Sequence, residues 1–429
     1  MFADQLEAKV LVEDYRGDKD HHRPGGKPVS DRRPMKPLSE ARVAIVFEWL
    51  QHYGGVERVI AAMRELFPNA DLFALICDRN ELAQTPFEGA TVHTSFIQRL
   101  PWATKKHRCY LPLMPLAVEQ FDLRSYDLVL SSSHMVSKGV LTRADQLHIS
   151  YTHTPVRYAW ELYQDYLHTS GLTRGFVGKL TRLVLHYLRM WDVSAANRVD
   201  VFLANSANVA RRIEKTYRRP ARTIYPPVDV DRYRCDLPRK DFYVTVSRLV
   251  PYKRLDLVVQ AFTRMQKPLV LIGDGPERKR LQRMAGSNIQ FLGYQPDENV
   301  VDYLQQARGF VFAAHEDFGI SPVEAQAAGC PVIGYGKGGV LETVIDWPDS
   351  EATGTLFDTQ KVEALEAAVA LFEANESKFD PRACRRNAER FHSSHFQREF
   401  LNVVGDLWNE FQDTMVTYRR PIVKAMDSA

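Results

Sequence analysis

Cysteine is scarce and scattered in this sequence. The five cysteines are far apart, odd in number and without any C-x-x-C pair: Cys77, Cys109, Cys235, Cys330 and Cys384. This distribution argues against a disulfide framework and against a Cys/His zinc site. It favours a reducing, cytoplasmic setting.

Long apolar runs are also missing. The first residues, MFADQLEAK, have no apolar core of the kind a signal peptide needs, and charged residues interrupt every apolar stretch before it could span a bilayer. The formal net charge of +3 gives no general attraction to nucleic acid. We therefore expect a soluble or peripheral protein with no nucleic-acid partner.

What the sequence does contain is an alternation of short apolar strands and helices. Strands are predicted at 42–47, 71–77, 126–131, 147–151, 199–204, 243–247, 269–273, 289–292, 309–313 and 331–334. Helices are predicted between many of them, including 56–67, 255–266, 276–284, 297–306 and 322–328. This alternation is typical of parallel βαβ units in an α/β protein.

The chain of 429 residues is too long for one ordinary core. Pro226 and Pro227 fix an extended segment that suits a linker. We expect two Rossmann-like domains with parallel sheets, facing each other across a cleft. The predicted parts are a disordered arm (1–40), an N-terminal acceptor domain (41–225), a C-terminal donor domain (226–395), and a C-terminal segment (396–429). The last segment consists of a helix crossing back, at about 396–411, and a tail.

The most informative motif is His315-Glu-Asp-Phe-Gly-Ile-Ser-Pro-Val-Glu324. On one continuous helix its two glutamates, Glu316 and Glu324, would lie about 80° and two turns apart, too far to grip one small ligand. Phe318-Gly319 is predicted to end any helix and Ser321-Pro322 to start a new one. Both carboxylates could then face one pocket at a helix N-terminus, which suits a diphosphate or a polar sugar.

A structural interpretation of the same motif stays open. Ser321-x-x-Glu324 also has the pattern of a capping box, in which Glu324 would only return a hydrogen bond to the backbone of Ser321. Glu316 alone could be a solvated loop charge.

Two cations follow the strand predicted at 243–247. Arg248 and Lys253 lie near its carboxyl end, where ligands bind in open α/β sheets, and could neutralise a leaving diphosphate. A basic surface loop is the alternative.

Glycines follow several strands. Gly54-Gly55 after the first strand lets the backbone approach a phosphate, and Gly273 opens a similar loop. Gly336, Gly338 and Gly339 form a glycine-rich turn before Glu342. None of these is a G-x-G-x-x-G fingerprint, so a dehydrogenase is disfavoured.

His153 follows the strand predicted at 147–151. A lone histidine is more often structural, but its place at the carboxyl end of a strand favours a ligand contact. Arg157 could assist substrate binding or pair with a surface acid.

Together these motifs resemble the family 4 retaining glycosyltransferases, which have the GT-B fold, over about residues 42–410. The segment at 316–324 resembles the family's E-x7-E signature, and Arg248 and Lys253 have the family spacing. The resemblance implies that Glu316 contacts the transferred sugar, that Glu324 contacts the ribose and that His153 lies by the sugar. It also implies that donor binding involves the backbone amides of Phe318, Gly319 and Ile320 and the loops of Gly54, Gly55 and Gly273.

The stretch Tyr151-Thr-His-Thr-Pro-Val-Arg-Tyr-Ala-Trp160 resembles a subgroup of bacterial mannosyltransferases that build surface polysaccharides. It favours GDP-mannose as the donor and a glycan or lipid-linked saccharide as the acceptor. We expect no cofactor. We expect no metal either, because the Asp-x-Asp pair at Asp229 and Asp231 lies in the linker and no such pair lies at the end of a predicted strand. The alternatives are a nucleotide-sugar epimerase of the same architecture and a non-catalytic nucleotide-sugar-binding protein.

Two segments of the N-terminal domain, 96–108 and 173–189, mix aromatic, aliphatic and basic residues. They suit peripheral contact with the inner membrane surface, and they are equally consistent with ordinary helix faces over the core.

Overall fold

The structure is a computed structural model that describes residues 36–418, apart from residues 52, 83, 84, 170, 171 and 173. Most of the expected disordered arm therefore lies outside the described residues, as does the tail after residue 418. Of the arm, residues 36–40 are described, and Leu38–Glu40 form a short 3-10 helix.

The first half of the chain builds one parallel sheet of seven strands in the order β3-β2-β1-β4-β5-β6-β7. We call this sheet and its helices the N-lobe. Its strands are β1 (Val43–Leu50), β2 (Asp71–Cys77), β3 (Val92–Thr94), β4 (Leu128–Ser133), β5 (Leu147–Thr152), β6 (Val201–Ala204) and β7 (Ala221–Thr223). Its helices are α1 (Gly55–Leu66), α2 (Ala103–Lys106), α3 (Met114–Glu119), α4 (Tyr163–Thr169), α5 (Gly175–Ala196) and α6 (Ala207–Tyr217).

Strand β1 shows why this sequence forms a central parallel strand. Seven of its eight residues are buried, which fits a strand covered on both faces. Ile45 and Phe47 pack into the core on one face, and Ala44 and Val46 pack into the core on the other. Because β2 and β4 pair with opposite edges of β1, the strand order reverses beside β1, where open sheets place their ligand crevice.

The second half of the chain builds a parallel sheet of six strands in the order β10-β9-β8-β11-β12-β13, which we call the C-lobe with its helices. The strands are β8 (Tyr243–Val246), β9 (Leu269–Ile272), β10 (Ile289–Gly293), β11 (Gly309–Phe312), β12 (Val332–Tyr335) and β13 (Gly354–Phe357). The helices are α7 (Leu255–Met265), α8 (Arg278–Met284), α9 (Asp297–Gln306), α10 (Ile320–Ala327), α11 (Val340–Thr343), α12 (Val362–Ala374) and α13 (Pro381–Glu389). Pro226 and Pro227 lie between the last strand of the N-lobe and the first of the C-lobe.

The last described helix, α14 (Ser393–Tyr418), returns from the C-lobe to the N-lobe. Phe396, Phe400 and Trp408 are buried in the same core as β1 and α1, and the ring of Tyr151 meets the ring of Phe396 edge-on at 5.8 Å. The helix is longer than the predicted range 396–411. Its aromatic residues pack the end of the chain against the N-lobe.

Sequence reasoning missed three strands: β3, β7 and β13. All three lie at sheet edges, and each has only three or four residues. Strands β3 and β7 read Val-His-Thr and Ala-Arg-Thr and are largely exposed, so they carry no apolar run. An edge strand needs pairing on one side only, which leaves a weak sequence signal.

Candidate functional site

The loop after β11 and the start of α10 contain the motif at residues 315–324. We call it the donor motif, after the role that the family resemblance implies. Helix α10 begins at Ile320 with Gly319 as its N-cap, at φ +86°. The predicted start at Pro322 with a Ser321 cap is therefore wrong, because Gly319 adopts the left-handed conformation that favours glycine and turns the chain two residues earlier. The first N–H groups of α10 have no acceptor within the helix and can serve an anion.

The capping-box interpretation of Glu324 is also wrong. Ser321 lies inside α10, and Glu324 lies beyond the first turn. The Glu324 carboxylate instead accepts a hydrogen bond from the Arg58 guanidinium of α1 at 2.5 Å, and both side chains are largely buried. The expected contact of Glu324 with a ribose stays a prediction.

The structure brings the two main sequence motifs together at Glu316. This residue follows β11, and its carboxylate forms an ion pair with the ammonium of Lys253, at the end of the 3-10 helix Pro251–Lys253. Burial, and then the nearby guanidinium groups of Arg248 and Arg157, lower the pKa of Lys253 to about 7, whereas the contact with Glu316 favours the charged form. The ion pair places the Lys253 amino group beside Glu316 at the carboxyl ends of β8 and β11.

The glycine-rich turn after β12 packs against the loop that carries Glu316. Gly338 and Glu316 form an isolated parallel bridge, and the Gly339 N–H donates to the Glu316 carbonyl oxygen at 2.9 Å. A Cβ on Gly339 would lie 2.3 Å from the Cα of Phe318. Only glycine allows this close approach, so the turn and the donor motif form one unit.

We expect Gly339→Ala to lower the free energy of unfolding by about 2 kcal/mol, because the added methyl group overlaps backbone atoms that cannot move away. Chemical denaturation with and without donor measures this loss. Gly405→Ala is the matched control, since a Cβ at Gly405 in α14 meets nothing within 4 Å and should be neutral or stabilising. Equal effects of the two substitutions would contradict the close approach.

Asp317 ties the donor motif to the N-lobe. Its carboxylate pairs with the guanidinium groups of Arg212 and, at 3.6 Å, Arg157. Its carbonyl oxygen accepts the Ser206 hydroxyl at 2.7 Å, and Arg157 also donates to the carbonyl oxygen of His315 at 3.1 Å. The acid that Arg157 pairs with is therefore a largely buried one in the donor motif, not a surface acid.

Two further contacts join the lobes beside the motif. The Glu342 carboxylate accepts the backbone N–H groups of Ala207 and Asn208 at 2.7 and 2.9 Å, at the N-terminus of α6. A Cβ on Gly55 would lie 2.6 Å from the side chain of Ile320. The predicted glycine loop Gly54-Gly55 thus meets the start of α10.

His153 lies where the sequence predicted, directly after β5. It is buried, and its Nε2 lies 2.9 Å from the Ser132 hydroxyl oxygen. Burial, and then the charge of His134, lower the pKa of His153 to about 3. The imidazole is therefore neutral at pH 7. It can form hydrogen bonds with a hydroxyl group, but it cannot neutralise a phosphate.

A buried ion pair beside His153 was missed by sequence reasoning. The Glu48 carboxylate in β1 accepts the backbone N–H groups of Met135, Val136 and Ser137 at 2.8 to 3.0 Å and pairs with the His134 ring at 2.9 Å. These contacts hold the pKa of Glu48 well below its usual range against the effect of burial. A glutamate inside the apolar run Val-Ala-Ile-Val-Phe-Glu-Trp-Leu was the available signal.

The remaining predicted site residues are placed as follows. Arg248 is exposed after β8 and close enough to act on the pKa of Lys253. Gly273 follows β9 at φ +127°, and Phe318 is buried against the rings of Tyr225 and Phe391. Asp231 of the linker pair contacts His392 and Arg385. In the described part of the chain, no group of three His, Cys, Asp or Glu side chains could hold a metal ion.

Two facing lobes with parallel sheets, and a site built from the loops after their strands, define the GT-B class of glycosyltransferase fold. The profile described as Glyco_transf_4, Glycosyltransferase Family 4, matches residues 53–232, and the profile described as Glycosyl transferases group 1 matches residues 236–391. The chain belongs to the family 4 glycosyltransferases. The fold and family expectations are confirmed.

Curated relatives include several mannosyltransferases. A GDP-mannose-dependent alpha-(1-6)-phosphatidylinositol monomannoside mannosyltransferase of Mycolicibacterium smegmatis is 30% identical over 34% of this chain and 44% of the relative. The O-antigen chain mannosyltransferase C of Escherichia coli is 24% identical over 49% and 61%. The chain spans about half the length of these curated relatives.

Solved structures share the fold at low identity. Anabaena HepE in complex with UDP superposes with a TM-score of 0.62 at 16% identity, covering 85% of this chain and all of that one. A sucrose-phosphate synthase from Thermosynechococcus elongatus superposes with a TM-score of 0.65 at 18% identity, covering 86% and 100%.

Proposed function

We propose that this protein transfers mannose from GDP-mannose, with retention of anomeric configuration, to a sugar hydroxyl of a glycan or lipid-linked saccharide in cytoplasmic polysaccharide biosynthesis. The observation that carries the transferase assignment is the contact between Lys253 and Glu316. It brings a cation for the leaving diphosphate and a carboxylate for the sugar hydroxyls into one place. The mannosyltransferase activities of the curated relatives support mannose.

The chemistry needs few groups from the protein. The bond from the sugar C1 to the diphosphate oxygen breaks, and a bond from C1 to the acceptor oxygen forms. Lys253, Arg248 and the N–H groups at the start of α10 stabilise the charge on the leaving diphosphate. The acceptor proton passes to that diphosphate, so no protein base is required, and no metal ion is required either.

We propose the remaining roles from the resemblance to the family. Glu316 accepts hydrogen bonds from the transferred sugar, Glu324 from the ribose, and His153 meets the sugar from the N-lobe as a neutral imidazole. The backbone of Phe318, Gly319 and Ile320 holds the sugar and the diphosphate, with Gly54, Gly55 and Gly273 at the edges of the donor site. Contact of the lobes around Asp317 excludes water from the donor.

The donor is tested by thermal shift. GDP-mannose or GDP, at about a hundred times its dissociation constant, should stabilise the protein by about 2.7 kcal/mol. UDP-glucose, UDP-N-acetylglucosamine and UDP at the same concentrations should stabilise it far less. Stabilisation by the uridine nucleotides alone would overturn the choice of GDP-mannose and leave the glycosyltransferase assignment standing.

The reaction class is tested by incubating the protein with GDP-mannose, with and without a mannose-terminated oligosaccharide. Acceptor-dependent release of GDP, with an α-linkage in the product by NMR, is the expected result. A new nucleotide sugar formed from the donor alone would indicate an epimerase. Donor binding without turnover on any acceptor would indicate a binding protein.

A further inference from the structure

Helix α5 of the N-lobe has an apolar stripe on its outer face. Its 22 residues bury Leu185 and Leu188 in the lobe. On the other side, five large apolar side chains are 41–80% exposed, at intervals of four, three, four and three residues: Phe176, Leu180, Leu183, Tyr187 and Met190. At about 100° per residue, these five fall within an arc of about 80°, roughly opposite to the buried side.

Five large exposed side chains in one line differ from the single exposed apolar residues that every protein surface has. A helix that packs against the rest of the protein on just one side needs a single apolar stripe. We call the five residues the outer stripe.

The exposed charged side chains of α5 are all basic. Lys179, Arg182 and His186 lie along one flank of the outer stripe, with Arg189 half-buried behind them over the ring of Tyr163. Residues 174–191 contain no aspartate or glutamate. The first acid of the helix, Asp192, is on the buried side, where it pairs with Lys138. The exposed face of α5 is therefore apolar along its centre and cationic along one edge.

Other exposed apolar residues lie elsewhere in the same lobe. The Trp191 indole N–H donates to Glu119 at 2.8 Å and so ties α5 to α3, on which Leu116 is 50% exposed. Earlier in the chain, Trp102 is 70% exposed, and Lys106 lies over its ring. Of the segment 96–108, Ile97 is buried in the core, whereas Trp102 and the two lysines after it, Lys105 and Lys106, are exposed.

We propose that the outer stripe of α5 docks on a membrane surface rich in anionic lipid. The apolar side chains enter the interface, and the basic flank meets the lipid phosphates. In the described part of the chain no helix is both long and apolar enough to cross a bilayer, so α5 would lie along the surface. The single sign of the flanking charge favours lipid over a second copy of the same face, in which cations would oppose cations.

This inference does not depend on the identity of the donor. It also makes a geometric suggestion for the proposed reaction, because α5 belongs to the acceptor lobe. A membrane-bound N-lobe would keep lipid-linked acceptors close to the cleft, while the donor lobe remained accessible to soluble nucleotide sugar.

The test is co-sedimentation of the full chain with vesicles of phosphatidylcholine containing a third of phosphatidylglycerol, compared with vesicles of phosphatidylcholine alone. We expect binding to the anionic vesicles and much weaker binding to the neutral ones. Leu180→Asp with Leu183→Asp should reduce binding more than tenfold. Leu371→Asp with Leu401→Asp is the matched control, since these leucines are 44% and 40% exposed on other helices.

The charge contribution is tested separately. Lys179→Glu with Arg182→Glu should weaken binding roughly thirtyfold or more, at about 1 kcal/mol for each basic residue at the surface. Lys279→Glu with Arg283→Glu on α8 changes the net charge equally and should have little effect. An unchanged melting temperature without ligand, measured by circular dichroism, shows that each variant remains folded.

Two outcomes would overturn the proposal. Equal vesicle binding by the outer-stripe variants and their controls would mean that α5 is not the contact. A dimer in analytical ultracentrifugation that the leucine variants abolish, without vesicle binding by the wild type, would assign the stripe to self-association. Neither outcome bears on the donor assignment, which the thermal shift tests alone.

Discussion

Replacing Lys253 with alanine is expected to lower kcat for sugar transfer by about 10²- to 10³-fold, the usual cost of removing one group aimed at charge that develops in the transition state. Lys253 is largely buried, and its ammonium meets Glu316. In the proposed mechanism, alanine at this position removes a cation that stabilises the leaving diphosphate. Because the diphosphate gains charge as the sugar leaves, kcat should fall more than the donor affinity.

The matched control for this variant is Lys240→Ala. Lys240 is an exposed lysine of the same lobe, and it lies before β8, at the opposite end of the strand from the site. Its removal should leave kcat unchanged. Lys253→Arg should retain part of the activity, since the charge remains but the planar guanidinium fits the same space differently. Full activity of Lys253→Ala in steady-state kinetics would remove Lys253 from the mechanism.

The sequence was most informative where local pattern decides the structure. The apolar runs at 42–47 and 71–77 predict β1 and β2 because parallel strands are covered on both faces. The positions of Arg248, Lys253 and Glu316 were predictable from the strands that precede them. The carboxyl ends of parallel strands lie at one edge of a sheet, and two such sheets place those edges across a cleft.

Local pattern failed where partners come from far along the chain. Ser321-x-x-Glu324 has the local form of a capping box, yet the partner of Glu324 is Arg58, 266 positions away. Arg212 and Glu342 likewise contact residues of the other lobe, and no local sequence pattern predicts either contact. A cation near the start of α1 opposes the helix dipole, which was a weak signal that Arg58 has an acidic partner.

These distant partners all join the two lobes at the donor motif. Arg58 contacts Glu324, Arg157 and Arg212 contact Asp317, and the start of α6 contacts Glu342. Contacts between the lobes thus concentrate on the residues proposed to hold the donor. Donor binding and closure of the lobes should therefore be thermodynamically coupled.

Asp317→Asn tests this coupling. The substitution keeps the size of the side chain and removes its charge, leaving Arg212, which is only 7% exposed, without its partner in the donor motif. Removing one member of a buried pair is costly, and we take about 2 kcal/mol for this partly buried site. We expect kcat/KM for the donor to fall by roughly 10- to 100-fold.

Asp297→Asn is the matched control, because Asp297 also links the lobes through Arg58 but is 56% exposed. An exposed pair contributes about 1 kcal/mol or less, so its loss should change kcat/KM by a few-fold at most. Small-angle X-ray scattering should show a larger radius of gyration for Asp317→Asn than for Asp297→Asn, and saturating donor should reduce the difference. If the two variants match in both kinetics and scattering, the contacts of Asp317 do not hold the lobes together, and closure must depend on the donor itself.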